Sequence, residues 1–132
     1  MKTHVSELYE IKLYLGDCRS RPILPNGLKS TDKITKVALI KAIGEFQEEY
    51  RTKTVPVRIT NTTFVSETNY SEDGWEVAAI SYPHTNHSHR ETLDFMLNLA
   101  EHLLNLFLQN RICVLDKQAN SSSTYMLESE DV

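Results

Sequence analysis

The chain has 132 residues, with 14 Lys and Arg against 18 Asp and Glu and a formal net charge of −4 at pH 7. That length makes one domain, residues 1–132, able to bury a core without disulfide or metal staples; the acidic balance speaks against general nucleic-acid binding, which needs clustered cations on phosphates. Cys18 and Cys113 lie far apart, Met1–Glu7 lacks an apolar leader and no apolar run spans a bilayer. Reduced thiols in a cytoplasmic protein without a membrane anchor are therefore expected.

In chain order, residues 1–7 read as frayed. Tyr9, Ile11, Leu13 and Leu15 then alternate with Glu10, Lys12 and Tyr14, the period of a half-buried strand that Gly16 ends. From Asp17 to Ser30, Pro22 and Pro25-Asn26-Gly27 mark a loop. Ser30 or Thr31 caps a first helix reaching about Tyr50, with Ile34, Val37, Ile40, Ile43, Phe46 and Tyr50 at helical spacing. Val55, Val57 and Ile59 begin a strand whose Pro56 confines its start to an edge or unpaired position. Thr62 to Asn69 continues it, Ser71-Glu72-Asp73-Gly74 reads as a hairpin turn, and Trp75 to Tyr82 returns. Trp75, Val77 and Ala79 face one way; Glu76, Ala78, Ile80 and Tyr82 face the other.

The helix from Ser88 to Asn110 carries the strongest signal. Ser88-His89-Arg90-Glu91 is a capping box, and Leu93, Met96, Leu97, Ala100, Leu103, Leu104 and Phe107 form a core-facing stripe. Phe95, Leu99, Leu106 and Leu108 widen that stripe, leaving Glu91, Asp94, Asn98, Glu101, Asn105 and Gln109 as a polar ridge. Such breadth in a short chain predicts a homo-oligomer joined through the Phe95/Leu99/Leu106 flank. Ile112-Cys113-Val114-Leu115 reads as a strand covered on both faces or near the sheet centre. Lys117 to Ser123 is polar, Thr124 to Leu127 is a possible edge strand, and residues 128–132 read as frayed. The order β-α-β-β-α-β, with an optional C-terminal strand, predicts an α+β ferredoxin-like domain: two helices on one face of an antiparallel sheet.

Chemistry is less legible. His84, His87 and His89 fall within six residues, as imidazole ligands of a transition metal can, but no Cys or regular spacing joins them. They read better as a polar loop feeding a capped helix, and neither metal nor cofactor is expected. Cys18 stands beside Arg19 and Arg21, which would lower its thiol pKa, yet no nucleophile motif or phosphate-binding glycine loop surrounds it. No catalytic residue is assigned. Arg58, Arg90 and Arg111 fall at strand ends or a helix terminus and offer planar forks for an anion. Tyr70, Trp75 and Tyr82 lie in or beside the hairpin, where a base could stack. Arg58, Tyr70, Tyr82, Arg90 and Arg111 are thus the candidate ligand-binding set, for a nucleotide-like molecule between subunits.

The run Tyr9-Glu10-Ile11-Lys12-Leu13-Tyr14-Leu15-Gly16, a long helix, a hairpin closing on Asp73-Gly74-Trp75-Glu76-Val77 and an apolar helix leading to Ile112-Cys113-Val114-Leu115 together resemble small phage and prophage α+β proteins. Among these the chain is similar to Thoeris anti-defence sponge proteins. The resemblance implies an oligomeric, non-catalytic binder that sequesters a cyclic ADP-ribose-type signal, gripped by Arg and stacked on an aromatic. Two alternatives stand beside it: a protein-interaction or inhibitor module acting through the apolar second helix, and a small ferredoxin-like enzyme using Cys18 or the histidines.

Overall fold

The computed structural model describes residues 1–3, 8–18, 33–50, 55–67, 70–80 and 87–130. Strands β1 (Tyr9–Gly16), β2 (Arg58–Glu67), β3 (Tyr70–Ile80), β4 (Arg111–Gln118) and β5 (Ser122–Glu128) form one sheet in the order β2-β3-β1-β4-β5. Every neighbouring pair is antiparallel. Helices α1 (Lys36–Glu49) and α2 (His89–Leu106) lie on the same face. This is the expected α+β arrangement of ferredoxin-like class, with β5 as the added edge strand.

Alternation along β1 decides which face is inside. Tyr9, Ile11, Leu13 and Leu15 are buried while Glu10, Lys12 and Tyr14 are half-buried on the opposite, helix-free face. Through the strand register, Val77 and Val114 flank Leu13 inside, and Ala78 and Leu115 flank Lys12 outside. Cys113 and Leu115 are therefore half-buried on the open face. Only Ile112 and Val114 of that apolar run enter the core.

The α2 cap forms as read: Ser88 Oγ accepts from Glu91 N, and Ser88 N donates to Glu91 Oε1. The widened stripe, however, is covered by the protomer itself. Phe95 and Leu99 are 0% exposed, and Phe46, tilted, and Tyr50, edge-on, pack against Phe95 with ring centroids 5.5 and 5.2 Å away. Only Leu106, 47% exposed, remains outside. The flank expected to join subunits is thus the α1–α2 seam, because α1 lies alongside α2 instead of apart from it. The helix stops at the Phe107 cap, and Leu108 turns the chain at φ 52°. Gln109 is buried beyond the helix, so it is no part of the polar ridge. It donates to the carbonyls of Cys18 and Phe107 and accepts from Gly16 N.

Three further expectations shift. The first helix starts at Lys36, capped by Thr35, whose hydroxyl accepts from Ala38 N at 3.1 Å. Ile34 is kept out of it because its carbonyl accepts the buried Trp75 indole N–H at 3.0 Å. Ser71–Gly74 is strand, not turn; β2 runs on to Glu67 and pairs Thr62 with Gly74. Residues near the C-terminus are tied down: Ser129 is buried and its N–H donates to Asn110 O at 2.8 Å. A Cβ added at Gly74 would lie 2.6 Å from the Leu15 carbonyl oxygen, a contact that real side chains do not make. Gly74→Ala is expected to lower stability by about 1–3 kcal/mol in urea denaturation, the usual cost of overpacking; an unchanged midpoint would contradict this register.

Candidate functional site on the open sheet face

Among the described residues no helix covers the outer face of the sheet, and polar groups there are wired to one another. Lys12 Nζ lies 3.2 Å from Glu10 Oε1 and 3.3 Å from Glu76 Oε1, and Arg58 Nη2 lies 2.7 Å from Glu10 Oε2. Burial pushes the Glu10 carboxyl up, but hydrogen bonds from Arg58 and Lys12 outweigh it and hold it below the usual range. The same contact with Glu10 raises Lys12, against the opposing effect of burial. Beside this network Tyr14 of β1 meets Phe64 of β2 edge-on, centroids 5.7 Å apart. They reach across β3 where Gly74, with no side chain, separates Glu72 from Glu76. Burial and the neighbouring Glu76 carboxylate both raise the Tyr14 phenol, keeping it protonated. Next to Gly74 in the register stands Gly16, with Glu72 Oε1 reaching to within 3.4 Å of where its Cβ would be.

The outcome is a shallow floor of Thr62, Gly74 and Gly16, bordered by an aromatic pair and by Glu72 and Glu76. An aromatic edge beside carboxylates can hold the ring of a base and accept from its amino or hydroxyl groups. Lys12 and Arg58 are already engaged by acids, so the surface favours a neutral or cationic molecule over a multiply charged anion.

The sequence-derived candidates distribute differently. Arg58 joins this face through Glu10. Arg111 is paired with Glu128 at 3.2 Å across β4 and β5. By strand spacing, Arg58 and Arg111 stand roughly 20 Å apart. Arg90 lies on the first turn of α2, largely exposed and paired with Asp94 at 3.2 Å. The three arginines are therefore not gathered around one point. Tyr70 opens β3; Tyr82 lies outside the described residues, as do Arg19, Arg21 and His84.

His87 and His89 stand at the start of α2, where His89 Nε2 donates to both oxygens of the buried Asp116, at 2.8 and 2.9 Å. Its ring packs edge-on against Tyr9, whose hydroxyl hydrogen-bonds Thr92 at 2.8 Å. This pair fastens the N-terminus of α2 to β4. Among the described residues no group of three or more His, Cys, Asp or Glu is placed to hold a metal. Cys18 runs opposite to expectation: burial and the Asp17 carboxylate, which accepts from its thiol at 3.2 Å, push its pKa up. Tyr14, Phe64 and the Glu10–Lys12–Glu76 network were missed as a site by sequence reasoning. Alternation placed Glu10, Lys12 and Tyr14 outward, but only the register brings Phe64 and Glu76 to them.

No protein-family model matches the chain, and no curated protein does. Two solved structures share its fold. A phage SAM lyase in the apo state superposes with TM-score 0.72 at 14% identity, covering 98% of this chain and 96% of that one. A phage SAM lyase in complex with S-methyl-5′-thioadenosine superposes with TM-score 0.65 at 10% identity, over the same shares. At this identity the likeness establishes the fold. No described helix is long and apolar enough to cross a membrane.

The ion network gives a pH test. Because the Glu10 pKa is lowered in the folded state, its stabilisation is present above the ordinary value of 4.5 and lost as pH falls through the folded value. Wild type is expected to exceed Glu10→Gln by about 0.5–1 kcal/mol at neutral pH, the scale of a partly exposed ion pair. That margin should shrink below pH 4.5. A margin that grows on acidification would contradict the assignment.

Proposed function

We propose that this chain binds a small nucleoside-derived molecule on the open face of its sheet, at the Tyr14–Phe64 pair. The observation that carries the proposal is the likeness, over 98% of the chain, to a structure in complex with S-methyl-5′-thioadenosine. The face itself supports it: aromatic rings suit a base, and Glu72 and Glu76 suit donor hydroxyls or a positive sulfonium. The finer expectation is a non-catalytic, oligomeric phage anti-defence protein that sequesters a cyclic ADP-ribose-type signal. It asks an anion to compete for arginines that already hold carboxylates, so a nucleoside without phosphates is the better fit. For that cyclic signal the proposed contacts stay Arg58, Tyr70, Tyr82, Arg90 and Arg111, contributed by more than one subunit, because Arg58 and Arg111 of one protomer stand roughly 20 Å apart.

A second reading is favoured by the name that both neighbours share: the chain cleaves S-adenosylmethionine as a lyase. Binding and turnover separate cleanly. Calorimetric titration with S-methyl-5′-thioadenosine, S-adenosylmethionine and cyclic ADP-ribose is expected to give saturable heat with the first two. Tyr14→Ala should weaken binding about tenfold or more, the worth of one stacked base. Chromatography after incubation with S-adenosylmethionine then decides the class. Unchanged nucleoside means sequestration; S-methyl-5′-thioadenosine formed faster than in a protein-free control, together with homoserine lactone and without homoserine, means a lyase. Absence of binding by either nucleoside, or binding only of cyclic ADP-ribose with dependence on Arg58 and Arg111, overturns the nucleoside proposal.

A further inference from the structure

Helix α1 turns an apolar stripe away from the protomer. Val37 is 77% exposed and Ile40 51%, and with Gly44 they fall on one narrow arc of the helix. The stripe borders an open groove of about 360 Å³, whose far side is Val57 and Ile59 at the β2 edge of the sheet.

Gly44 is the second sign. Gly16 and Gly74 are hemmed in by neighbouring atoms, but a Cβ at Gly44 would meet nothing within 4 Å. Glycine in mid-helix weakens the helix relative to alanine, and nothing among the described residues requires it there. The open space beside it leaves room for another backbone to approach closely.

The charge order of α1 identifies what approaches. Lys36 and Lys41 occupy its first half, and Glu45, Glu48 and Glu49 its last. The first turn has no acid and the last turn of the helix no base, the reverse of what the helix dipole favours. Lys41 reaches Glu45 only at 4.0 Å, and Lys36 and Glu48 make no ion pair among the described residues. A helix of the opposite direction with the same sequence answers all of this at once.

We propose that α1 docks antiparallel on α1 of a second copy about a two-fold axis, crossing near Ala42. Ile40 then sits over Gly44 of the partner subunit, and Lys36 faces Glu48 of the partner subunit. Each lysine-bearing end lies against a glutamate-bearing end, and the two dipoles oppose. The contact is isologous, the commonest form of closed assembly, and it leaves the open sheet face clear.

Sedimentation velocity and native mass spectrometry of the full chain test it. The wild-type particle is expected to hold an even number of chains, and Ile40→Glu to halve its mass. Lys36→Glu should weaken association about tenfold or more, as charge repulsion at a closed contact does. The double variant Lys36→Glu/Glu48→Lys should restore it. Gly44→Ala should keep the protomer's cooperative unfolding but loosen the pair. A wild-type monomer at high concentration, an assembly indifferent to Ile40→Glu, or a double variant as weak as Lys36→Glu overturns the proposal.

Discussion

The fold depends on α2 being sheathed on two sides by its own chain. One side of the helix, with Met96, Leu103 and Ala100, joins a single core with Ile11, Leu13, Val77 and Val114. The other gives Phe95 to Phe46 and Tyr50. Each fully buried large side chain contributes about 1.5–3 kcal/mol, so the apolar breadth of α2 is used inside the protomer. The His89–Asp116 pair and the Tyr9–Thr92 hydrogen bond hold one end of that helix to the sheet. Gln109 holds the other end to β1.

Placing both helices on one face has a direct consequence for function. Among the described residues the opposite face has no apolar cover, and it carries ion pairs and an aromatic contact instead of a second hydrophobic layer. Ala78 is buried there without any helix above it; the long side chains of Lys12 and Arg58, its neighbours in the register, stand on either side. The surface is organised, mostly neutralised by internal pairing, and open at the Gly16–Gly74 row. Those properties differ from the unpaired cations of a phosphate cradle, and the proposed nucleoside site rests on them.

Much of the architecture was legible in the chain. Period-two alternation in β1 and in the Trp75–Ile80 stretch fixed which residues face inward, and Ser88 and Glu91 marked the start of α2. What failed were readings in which local chemistry stood in for tertiary context. Ser71–Gly74 has turn composition, yet Gly74 serves a close approach to Leu15 within a strand. Ile34 has helical spacing, yet its carbonyl is claimed by Trp75 from a distant strand. The width of the α2 stripe suggested a partner because spacing alone does not reveal that α1 covers it. The site was least legible: Tyr14 and Phe64 are separated by 50 positions in the chain and meet only through the register of β1 and β2 on either side of β3. Arginines drew attention by type, whereas their partners Glu10, Asp94 and Glu128 are visible only in three dimensions.

The central claim is that the helix-free face receives the ligand. Amide and aromatic chemical-shift mapping during titration with S-methyl-5′-thioadenosine addresses it most directly. The account predicts that the largest changes fall on Lys12, Tyr14, Phe64, Glu72 and Glu76, with α1 and α2 quiet. Changes centred on the helices or on the Glu101–Glu130 groove at the β5 end, with the sheet face unmoved, would contradict it.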